Sequence, residues 1–288
     1  MRFFSDADRL IKLVQNNQGR SFVFIDEIQR LKEPGLFLKG IYDLHLPVKI
    51  IVSGSSALEI KSHVHEALTG RKAVFCLNPF NLRELSAALF AEKDYTSIVR
   101  DKNKFNKVLG HYLIFGGYPA VALAKGDKLK LDLLKEIFMS YLEKDVQSLL
   151  KVENELAFRN LIKILAAQIG SLINKDELSG TLGIHKNTLD NYLFYLEQTF
   201  ILDFLWPFFK NPRKELLKSP KIYFRDPGIR NFAIGAFEDF EFRADKGGLF
   251  ENFVYLCLKG ALKPSEQIYF WRTKTGSEVD FVLLRGLK

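Results

Sequence analysis

Apolar positions in the first 80 residues form short continuous runs separated by a helical pattern. The runs at residues 22–25, 48–52 and 74–77 are apolar apart from Lys49, which is typical of strands buried on both faces of a sheet. Between the first two runs, apolar residues from Phe37 to Leu44 recur at helical spacing. Strands that alternate with helices predict an α/β fold with a parallel sheet and crossover connections.

The pattern becomes helical after this segment. Residues 81–154 are predicted to form a helical region that is polar on one side and is interrupted by FGGYPAV at 115–121. Residues 155–225 are predicted to contain a short helix, a turn at Gly183 and a long helix, the order of a helix-turn-helix. Apolar, basic and apolar stretches follow, predicting a hairpin and hence a winged helix. The apolar positions of the helices are Phe158, Leu161, Ile162, Leu165, Ile169, Leu189, Tyr192, Leu193, Leu196 and Phe200.

Composition limits the class of protein and its compartment. With 47% hydrophobic and 26% charged residues, the 288-residue chain has the balance of a folded globular protein. The net charge of +8 permits contact with nucleic acid without requiring it. Cys76 and Cys257 lie in apolar runs, so we expect buried free thiols and a reducing cytoplasm. The N-terminus lacks the apolar core of a secretory signal, and residues 201–209 are too short to span a bilayer.

Two adjacent acids follow the first predicted strand, in SFVFIDEIQR. Ligands of parallel sheets bind in the crevice outside the carboxyl ends of the strands, so Asp26 and Glu27 are placed at a binding edge. A hydrophobic strand that ends in Asp-Glu fits the Walker B element of a P-loop ATPase. Asp26 would then hold Mg²⁺, and Glu27 would orient the water that attacks the γ-phosphate. The alternative is that both acids cap the following helix, where negative charge is also favourable.

Several further motifs occur in a recognisable order. The sequence is similar to a family of bacterial and archaeal AAA+-like ATPases that carry a C-terminal winged-helix and nuclease-like module of unknown function. The matching motifs are FVFIDEIQR, IIVSGSSALEI, LTGRKAVFCLNPFNLREL, FGGYPAV, KSPKIYFRDPGIRN, GLFENFV and FWRTKTGSEVDFVL. The resemblance covers essentially the whole chain and implies ATP and Mg²⁺ as cofactors.

The resemblance implies roles for further residues. Ser53 in VSGSS occupies the sensor-1 position, where a hydroxyl can hydrogen-bond the attacking water or the γ-phosphate; the alternative is a simple turn residue. Arg71 in LTGR occupies the position of an arginine finger, which usually acts on the nucleotide of a neighbouring subunit and so implies a homo-oligomer. The alternative for Arg71 is an exposed arginine after a glycine C-cap.

The phosphate-binding loop of the family, GxxxxGK[ST], does not occur in these 288 residues. In the family's sheet, the strand before that loop lies between the sensor-1 strand and the last strand. Without it, the run at residues 74–77 would be separated from the other two strands, with unpaired backbone groups. We therefore expect an incomplete ATPase core, explained by a truncated reading frame, that does not hydrolyse ATP alone.

The C-terminal segment resembles part of a PD-(D/E)xK nuclease fold, with a helix, GLFENFVYLCL, and two strands, QIYFWRT and EVDFVLL. Glu251 on the helix and Asp280 on the second strand match the first acids of such a site, and Glu278 shares a strand face with Asp280. Together they would ligate Mg²⁺. The E-x-K strand expected next is not in the sequence. The alternative is that these acids are remnants or ion-pair partners.

The helix-turn-helix offers candidate nucleic-acid contacts. Lys186, Asn187, Thr188 and Asn191 lie at the start of the long helix, where they suit base edges and phosphates in the major groove. The predicted wing adds basic residues that suit backbone phosphates, namely Arg213, Lys214, Lys218 and Lys221. Against DNA contact, many winged helices only pack against protein, and the long helix also carries acids, Asp190 and Glu197.

The predicted domains are therefore a partial AAA+-like core (1–80), a lid-like helical region (81–154), a winged helix (155–225) and a partial nuclease-like α+β part (226–288). Two functions remain open. The first is an AAA+-like ATPase, truncated, that acts as a remodeller or switch. The second is a DNA-binding winged-helix protein with a vestigial ATPase core. Nucleotide titration tests the first, and a steep salt dependence of DNA affinity supports the second.

Overall fold

The chain divides into two compact units, residues 1–76 and residues 77–288. The structure, a computed structural model, describes residues 11–12, 14, 19, 21–28, 31, 33–54, 68, 70–90, 94–142, 154–208, 219–273 and 275–286. The further domain boundaries predicted at residues 154 and 225 stay predictions.

The first unit contains a small parallel sheet and a crossover helix. Strand β1 (Ser21–Ile25) pairs in parallel with β2 (Val48–Val52), with Ser21 opposite Val48. Helix α1 (Pro34–Asp43) connects them and begins with a proline, which suits the first helical turn because its missing N–H would have no partner there. The predicted strand–helix–strand order of this segment is confirmed.

One face of the β1–β2 sheet packs against α1. Ile25 of β1 and Leu38 of α1 are buried in one apolar cluster, and Ile41 lies in a second one beside it. The alternate residues of β1, Phe22 and Phe24, point to the opposite face and are exposed. Of the apolar positions predicted for α1, Leu38 and Ile41 are buried and Leu44 is exposed, and the prediction that β1 is buried on both faces is wrong.

The third predicted strand is not formed. Residues 72–78 have no regular secondary structure, and Val74, Phe75 and Leu77 are exposed. A strand is stable only when a neighbouring strand satisfies its N–H and C=O groups. In the described part of the chain, the sheet of the first unit consists of β1 and β2 alone. An apolar run is thus not sufficient for a strand where no edge is available to pair with it.

The second unit is mostly helical in its first part. Its described helices before residue 143 are α2 (Leu82–Phe90), α3 (Tyr95–Arg100), α4 (Lys102–Phe115), α5 (Pro119–Ala122) and α6 (Asp127–Ser140). Next come α7 (Glu155–Ala167), α8 (Lys175–Leu182), α9 (Lys186–Gln198) and the antiparallel strands β3 (Leu202–Leu205) and β4 (Lys221–Phe224). The last elements are α10 (Pro227–Ile234), a short 3₁₀ helix (Phe240–Phe242), α11 (Lys246–Ala261) and the antiparallel strands β5 (Glu266–Arg272) and β6 (Glu278–Arg285).

Helices α8 and α9 form where the helix-turn-helix is predicted. Asn174 caps α8 by accepting the N–H groups of Asp176 and Glu177, and Gly183 ends it with a φ of +63°, a conformation that glycine adopts without strain. The predicted apolar positions of α7 and α9 are buried, with Phe200 half-buried. That these helices and the β3–β4 hairpin constitute a winged helix stays a prediction.

A single apolar core joins the helical region to the helix-turn-helix. Leu134 of α6, Phe158 of α7, Leu196 of α9 and Ile229 of α10 belong to the same buried cluster. Burial of this continuous apolar surface is the main force that holds these helices together. The predicted lid-like region therefore shares its core with the segment that follows.

The loop after α4 and the start of α10 interlock through Asp226. Gly117 donates its N–H to the Asp226 carboxylate at 2.7 Å. Gly116 has a φ of +75°, and a Cβ atom there would overlap that carboxylate. A Cβ atom on Gly228 would likewise overlap the carbonyl oxygen of Phe115. The glycines of FGGYP and RDPG thus allow two backbone segments to approach closely.

Both cysteines are exposed, so their predicted burial is wrong. Cys257 lies on α11, whose buried residues are Leu249, Asn252, Phe253 and Tyr255, and the thiol falls outside that face. An apolar run on a helix does not bury every member, because only one stripe of the helix contacts the core. No described helix is long and apolar enough to cross a bilayer.

Candidate functional site

The carboxyl ends of β1 and β2 bring Asp26 and Ser53 into contact. The Ser53 N–H donates to the carbonyl oxygen of Ile25 at 2.9 Å, which continues the ladder past the end of β2. The Ser53 hydroxyl donates to Oδ1 of Asp26. The structure thus joins two of the predicted site residues, which lie 27 positions apart in the sequence.

Glu27 adopts an unusual backbone conformation beside this contact. Its φ is +53°, in the left-handed region that residues other than glycine rarely occupy. The chain reverses there, and the next N–H, that of Ile28, donates to the carbonyl oxygen of Ser53 at 3.0 Å. The half-buried Glu27 is therefore fixed in a turn against the end of β2.

Neither acid caps α1. That helix begins at Pro34, and Glu33 occupies its N-cap position without a side-chain cap hydrogen bond. The helix-capping alternative for Asp26 and Glu27 therefore does not apply to α1. The two acids instead follow the strand directly, at the edge where β1 and β2 end.

Arg71 lies apart from the Asp26–Ser53 contact. Its guanidinium pairs with Asp43 at 3.0 Å and stacks on the ring of Tyr42 at 5.0 Å. Asp43 is the last residue of α1, shortly before the start of β2, whereas Ser53 follows the end of β2. Arg71 is therefore paired near the opposite end of that strand. A role for Arg71 on the nucleotide of a neighbouring subunit stays a prediction.

The predicted DNA-contacting residues at the start of α9 are partly engaged within the chain. Lys186, Asn187 and Asn191 are exposed and Thr188 is half-buried. Lys186 forms an ion pair with Asp176 of α8. A second ion pair joins Lys175 of α8 to Asp190 of α9 at 2.6 Å, so each of the two helices supplies one lysine and one aspartate. A DNA phosphate would have to compete with Asp176 for Lys186, and DNA contact by this helix stays a prediction.

The predicted wing residues Arg213, Lys214 and Lys218 lie outside the described residues. For Lys221, the fourth basic residue predicted to contact phosphates, the prediction is wrong. Its side chain is only 5% exposed and forms ion pairs with Glu251, Glu278 and Asp280. A lysine on a strand between two other elements is buried by them, and there it pairs with acids rather than with a solvent-exposed polyanion.

The residues Glu251, Glu278 and Asp280, hereafter the carboxylate cluster, come from α11 and β6. Lys221 Nζ lies 2.9 Å from Glu251 and 3.3 Å from Asp280 and also contacts Glu278. The Tyr223 hydroxyl donates to Glu251. Burial raises the pKa of Tyr223 far above its ordinary value, and the bond to Glu251 adds to this, so the phenol stays protonated. The structure therefore brings the predicted acids together around an ammonium group.

Lys221 and Tyr223 were missing from the predicted C-terminal site. They stand two residues apart in KIYF, so their side chains lie on the same face of β4. That spacing was the available signal in the sequence, but nothing local shows that α11 and β6 pack against this face. Among the described residues, no group of three or more His, Cys, Asp or Glu side chains is arranged to hold a metal ion.

Comparison with known protein families divides the chain into three segments. Residues 2–86 match an AAA domain. Residues 106–239 match a domain of unknown function, DUF8612, and residues 246–288 match another, DUF4143. The AAA-domain match includes Asp26, Glu27, Ser53 and Arg71.

Similar curated proteins are all uncharacterized. One from Methanocaldococcus jannaschii is 26% identical over 285 residues, 96% of this chain and 62% of the relative. One from Mycobacterium tuberculosis is 25% identical over 286 residues, 98% of this chain and 60% of the relative. One from Haemophilus influenzae is 24% identical over 266 residues, 89% of this chain and 63% of the relative.

The chain spans about three fifths of the length of these relatives. The match of its first segment to an AAA domain, together with the Asp26–Ser53 contact at the carboxyl ends of two parallel strands, supports an AAA-like ATPase family for this protein.

Proposed function

We propose that Asp26, Glu27 and Ser53 form the magnesium-binding and water-orienting half of an ATP site. We further propose that a preparation of these 288 residues alone does not hydrolyse ATP. The observation that carries the first part is the hydrogen bond from the Ser53 hydroxyl to the Asp26 carboxylate. It joins an acid and a hydroxyl at the edge where parallel sheets bind their ligands.

The chemistry of these side chains fits Mg²⁺ and a triphosphate. Mg²⁺ prefers carboxylate and hydroxyl oxygens, and Asp26, which is exposed, would hold it with water in the remaining positions. Bound Mg²⁺ neutralises charge on the β- and γ-phosphates. Glu27 is placed one residue further on, in a turn fixed to β2, where its carboxylate would orient a water molecule.

The second part follows from the missing phosphate loop. In P-loop ATPases, backbone N–H groups and a lysine of GxxxxGK[ST] hold the β- and γ-phosphates. That motif is absent from the 288 residues. Two acids and a serine offer no positive charge to the triphosphate, so affinity and transition-state stabilisation both lack their main source.

Hydrolysis by the purified chain tests the second part. We expect no ATP turnover above the rate in buffer with Mg²⁺, in the wild type and in Glu27→Gln alike. Turnover that is present in the wild type, lost in Glu27→Gln and kept in Glu33→Gln would overturn it. Glu33 is a suitable control because it is an exposed acid near the same strand that makes no side-chain cap hydrogen bond.

Binding of Mn²⁺ in the presence of ATP, followed by electron paramagnetic resonance, tests the first part. We expect Asp26→Asn to weaken Mn²⁺ binding by about tenfold or more, since a charged ligand is removed, whereas Glu33→Gln leaves it unchanged. Equal binding by the wild type and Asp26→Asn would show that Asp26 is not a metal ligand. Circular dichroism of each variant checks that the sheet is intact.

A further inference from the structure

The carboxylate cluster converges on one point, and Lys221 occupies it. Glu251 comes from α11, whereas Glu278 and Asp280 come from β6, yet all three contact the same Nζ atom. The Lys221 side chain is 95% buried, because its exposed fraction is 5%. Three acids from two elements therefore surround one buried ammonium group, and Asp280 is the most exposed of them, at 57%.

Further protein groups lie against the carboxylates of the two glutamates. Tyr223 donates to the same Glu251 oxygen that Lys221 contacts. Arg272 lies 3.5 Å from the second oxygen of Glu278. The backbone of Gly170 approaches Glu251 so closely that a Cβ atom there would be 3.3 Å from its other oxygen. The glutamates are thus held by protein groups on more than one side.

We propose that Lys221 is the resident cation of the carboxylate cluster and excludes a divalent metal ion from it. The resemblance to a nuclease-like fold implies Mg²⁺ at Glu251 and Asp280, and the residues present do not fit that ion. An ammonium group from β4 stands where the metal would be.

The distances favour an ammonium over a metal. Mg²⁺ needs its ligand oxygens at about 2.0–2.1 Å in near-octahedral geometry. Lys221 Nζ instead lies 2.9 Å from Glu251, the distance of a charge-assisted hydrogen bond, and 3.3 Å from Asp280, within ion-pair range. With Lys221 in place, the acids are not drawn to the shorter distances of a metal site, and no metal-holding arrangement exists among the described acidic side chains.

The charges are also consistent with a permanent lysine. Lys221 contacts all three acids, and neighbouring carboxylates favour the charged form of an ammonium group. With Arg272 beside Glu278, the cluster keeps one net negative charge, whereas without Lys221 its acids would repel one another and attract a cation.

The consequence is that the carboxylate cluster holds α11 and β6 against β4 and carries out no metal-dependent cleavage. Lys221 joins β4 to both α11 and β6, so one ammonium fixes the C-terminal hairpin and helix against the β3–β4 hairpin. Lys221 is accordingly a positioning residue. Removing its charge should convert the cluster into a metal site, an effect that a purely steric role would not produce.

Metal binding by Lys221→Gln tests the proposal. Glutamine has a similar length, is neutral and can still hydrogen-bond a carboxylate. All proteins carry Asp26→Asn, so that a cation in the first unit does not contribute and the outcome is independent of the proposed ATP site. Mn²⁺ binding is followed by calorimetry and by the shift in melting temperature, since a ligand that binds only the folded state raises it.

We expect no saturable Mn²⁺ binding up to millimolar concentration with Lys221 present, and saturable binding at least about tenfold below that concentration in Lys221→Gln, since the acids then lack their cation. This binding should be lost again in Lys221→Gln/Glu251→Gln, whereas Lys221→Arg, which keeps the charge, should exclude Mn²⁺. Binding in the Lys221 protein that Glu251→Gln abolishes would overturn the proposal. Failure of a folded Lys221→Gln to bind Mn²⁺ would also overturn it.

A variant that does not fold without metal still decides the question. If Lys221→Gln has lost its helical circular dichroism, recovery of that signal on addition of Mn²⁺ supports the proposal, since metal binding then supplies folding free energy. No recovery at millimolar Mn²⁺ counts against it. Equal recovery by Mg²⁺, Ca²⁺ and monovalent salt at matched ionic strength would indicate charge screening and likewise overturn it.

Discussion

Gly117 donates its backbone N–H to the carboxylate of Asp226 at 2.7 Å, across 109 residues of sequence. The carboxylate is buried and also accepts the N–H of Ile229 at 3.0 Å, so it caps α10 and binds the loop after α4 at once. Burial raises the pKa of Asp226 to about 6, although its backbone hydrogen bonds act in the opposite direction. This contact explains why two glycine-containing motifs far apart in the sequence belong to one structural feature.

Gly116→Ala is expected to destabilise the protein strongly. Its φ of +75° disfavours a side chain, and a Cβ atom there would overlap the Asp226 carboxylate. We expect a loss of about 2–4 kcal/mol in the free energy of unfolding, from backbone strain and overlap together. Urea denaturation measures it.

Gly126→Ala is the matched control for this substitution. Gly126 has a similar φ of +84°, but no atom lies within 4 Å of the position of its Cβ. Its replacement should cost only the backbone strain, about 1–3 kcal/mol, and so less than that of Gly116. Equal losses in the two variants would show that the contact with Asp226 adds nothing.

His111 should make stability depend on pH. Burial and, to a smaller extent, Lys130 lower its pKa to about 4 against the opposing effect of Asp127, and neither ring nitrogen has a hydrogen-bond partner. The folded state therefore binds this proton less readily than the unfolded state, whose histidine titrates near its ordinary value of 6.5. The contribution of neutral His111 is complete above pH 6.5 and is lost as pH falls through about 4.

His111→Phe should remove that dependence. The loss between pH 6.5 and pH 4 is on the order of 2–3 kcal/mol in the wild type, from the size of the pKa difference. Urea denaturation at several pH values in this window gives the difference between the two proteins, in which other titrating groups cancel. Parallel pH profiles would contradict the prediction. Phenylalanine suits the site because the ring already packs against Phe115 at 5.4 Å.

Asp203→Ala should destabilise the second unit. The buried carboxylate accepts from Arg225 at 2.9 Å and also pairs with Lys259. Its removal takes this counter-charge from the Arg225 guanidinium, which is 17% exposed, and breaking a buried pair costs about 3–5 kcal/mol. The control is Asp190→Ala, which removes a half-exposed acid paired with Lys175 and should cost less than about 1 kcal/mol. Similar losses in urea denaturation would show that burial of Asp203 is not decisive.

DNA contact through the start of α9 predicts a specific pair of effects. Lys186→Gln should reduce the slope of log affinity against log salt by about 1, because one phosphate contact is lost. Asp176→Asn should strengthen binding, because it frees Lys186 from its ion pair. Fluorescence anisotropy with duplex DNA measures both, with Lys163→Gln, an exposed lysine on α7, as the control. Affinity that does not change with salt would exclude this contact.

Local signals in the sequence predicted many elements correctly. The spacing of Phe158, Leu161 and Leu165 identified α7, and Gly183 marked the end of α8, because helix periodicity and caps act over a few residues. The place of Ser53 at the end of the strand next to Asp26 came from the family resemblance. The parallel pairing of β1 and β2, which end at the same edge of the sheet, agrees with it.

The partners of long-range contacts could not be predicted in this way. The apolar run at residues 74–77 has the composition of a strand, yet a strand depends on a neighbour that the run itself does not specify. Lys221 lies in a basic stretch that suits contact with phosphates, yet α11 and β6 enclose it with acids from 30 to 59 residues away.

The sequence by itself therefore determined the helix-turn-helix helices, the helical character of residues 81–154 and the first two strands, because periodicity, caps and strand direction are properties of short segments. Only the tertiary structure decided that Lys221 is enclosed by the carboxylate cluster and that Gly116 lies against Asp226. Burial and charge pairing depend on which distant segments pack together, and that packing is a property of the whole chain.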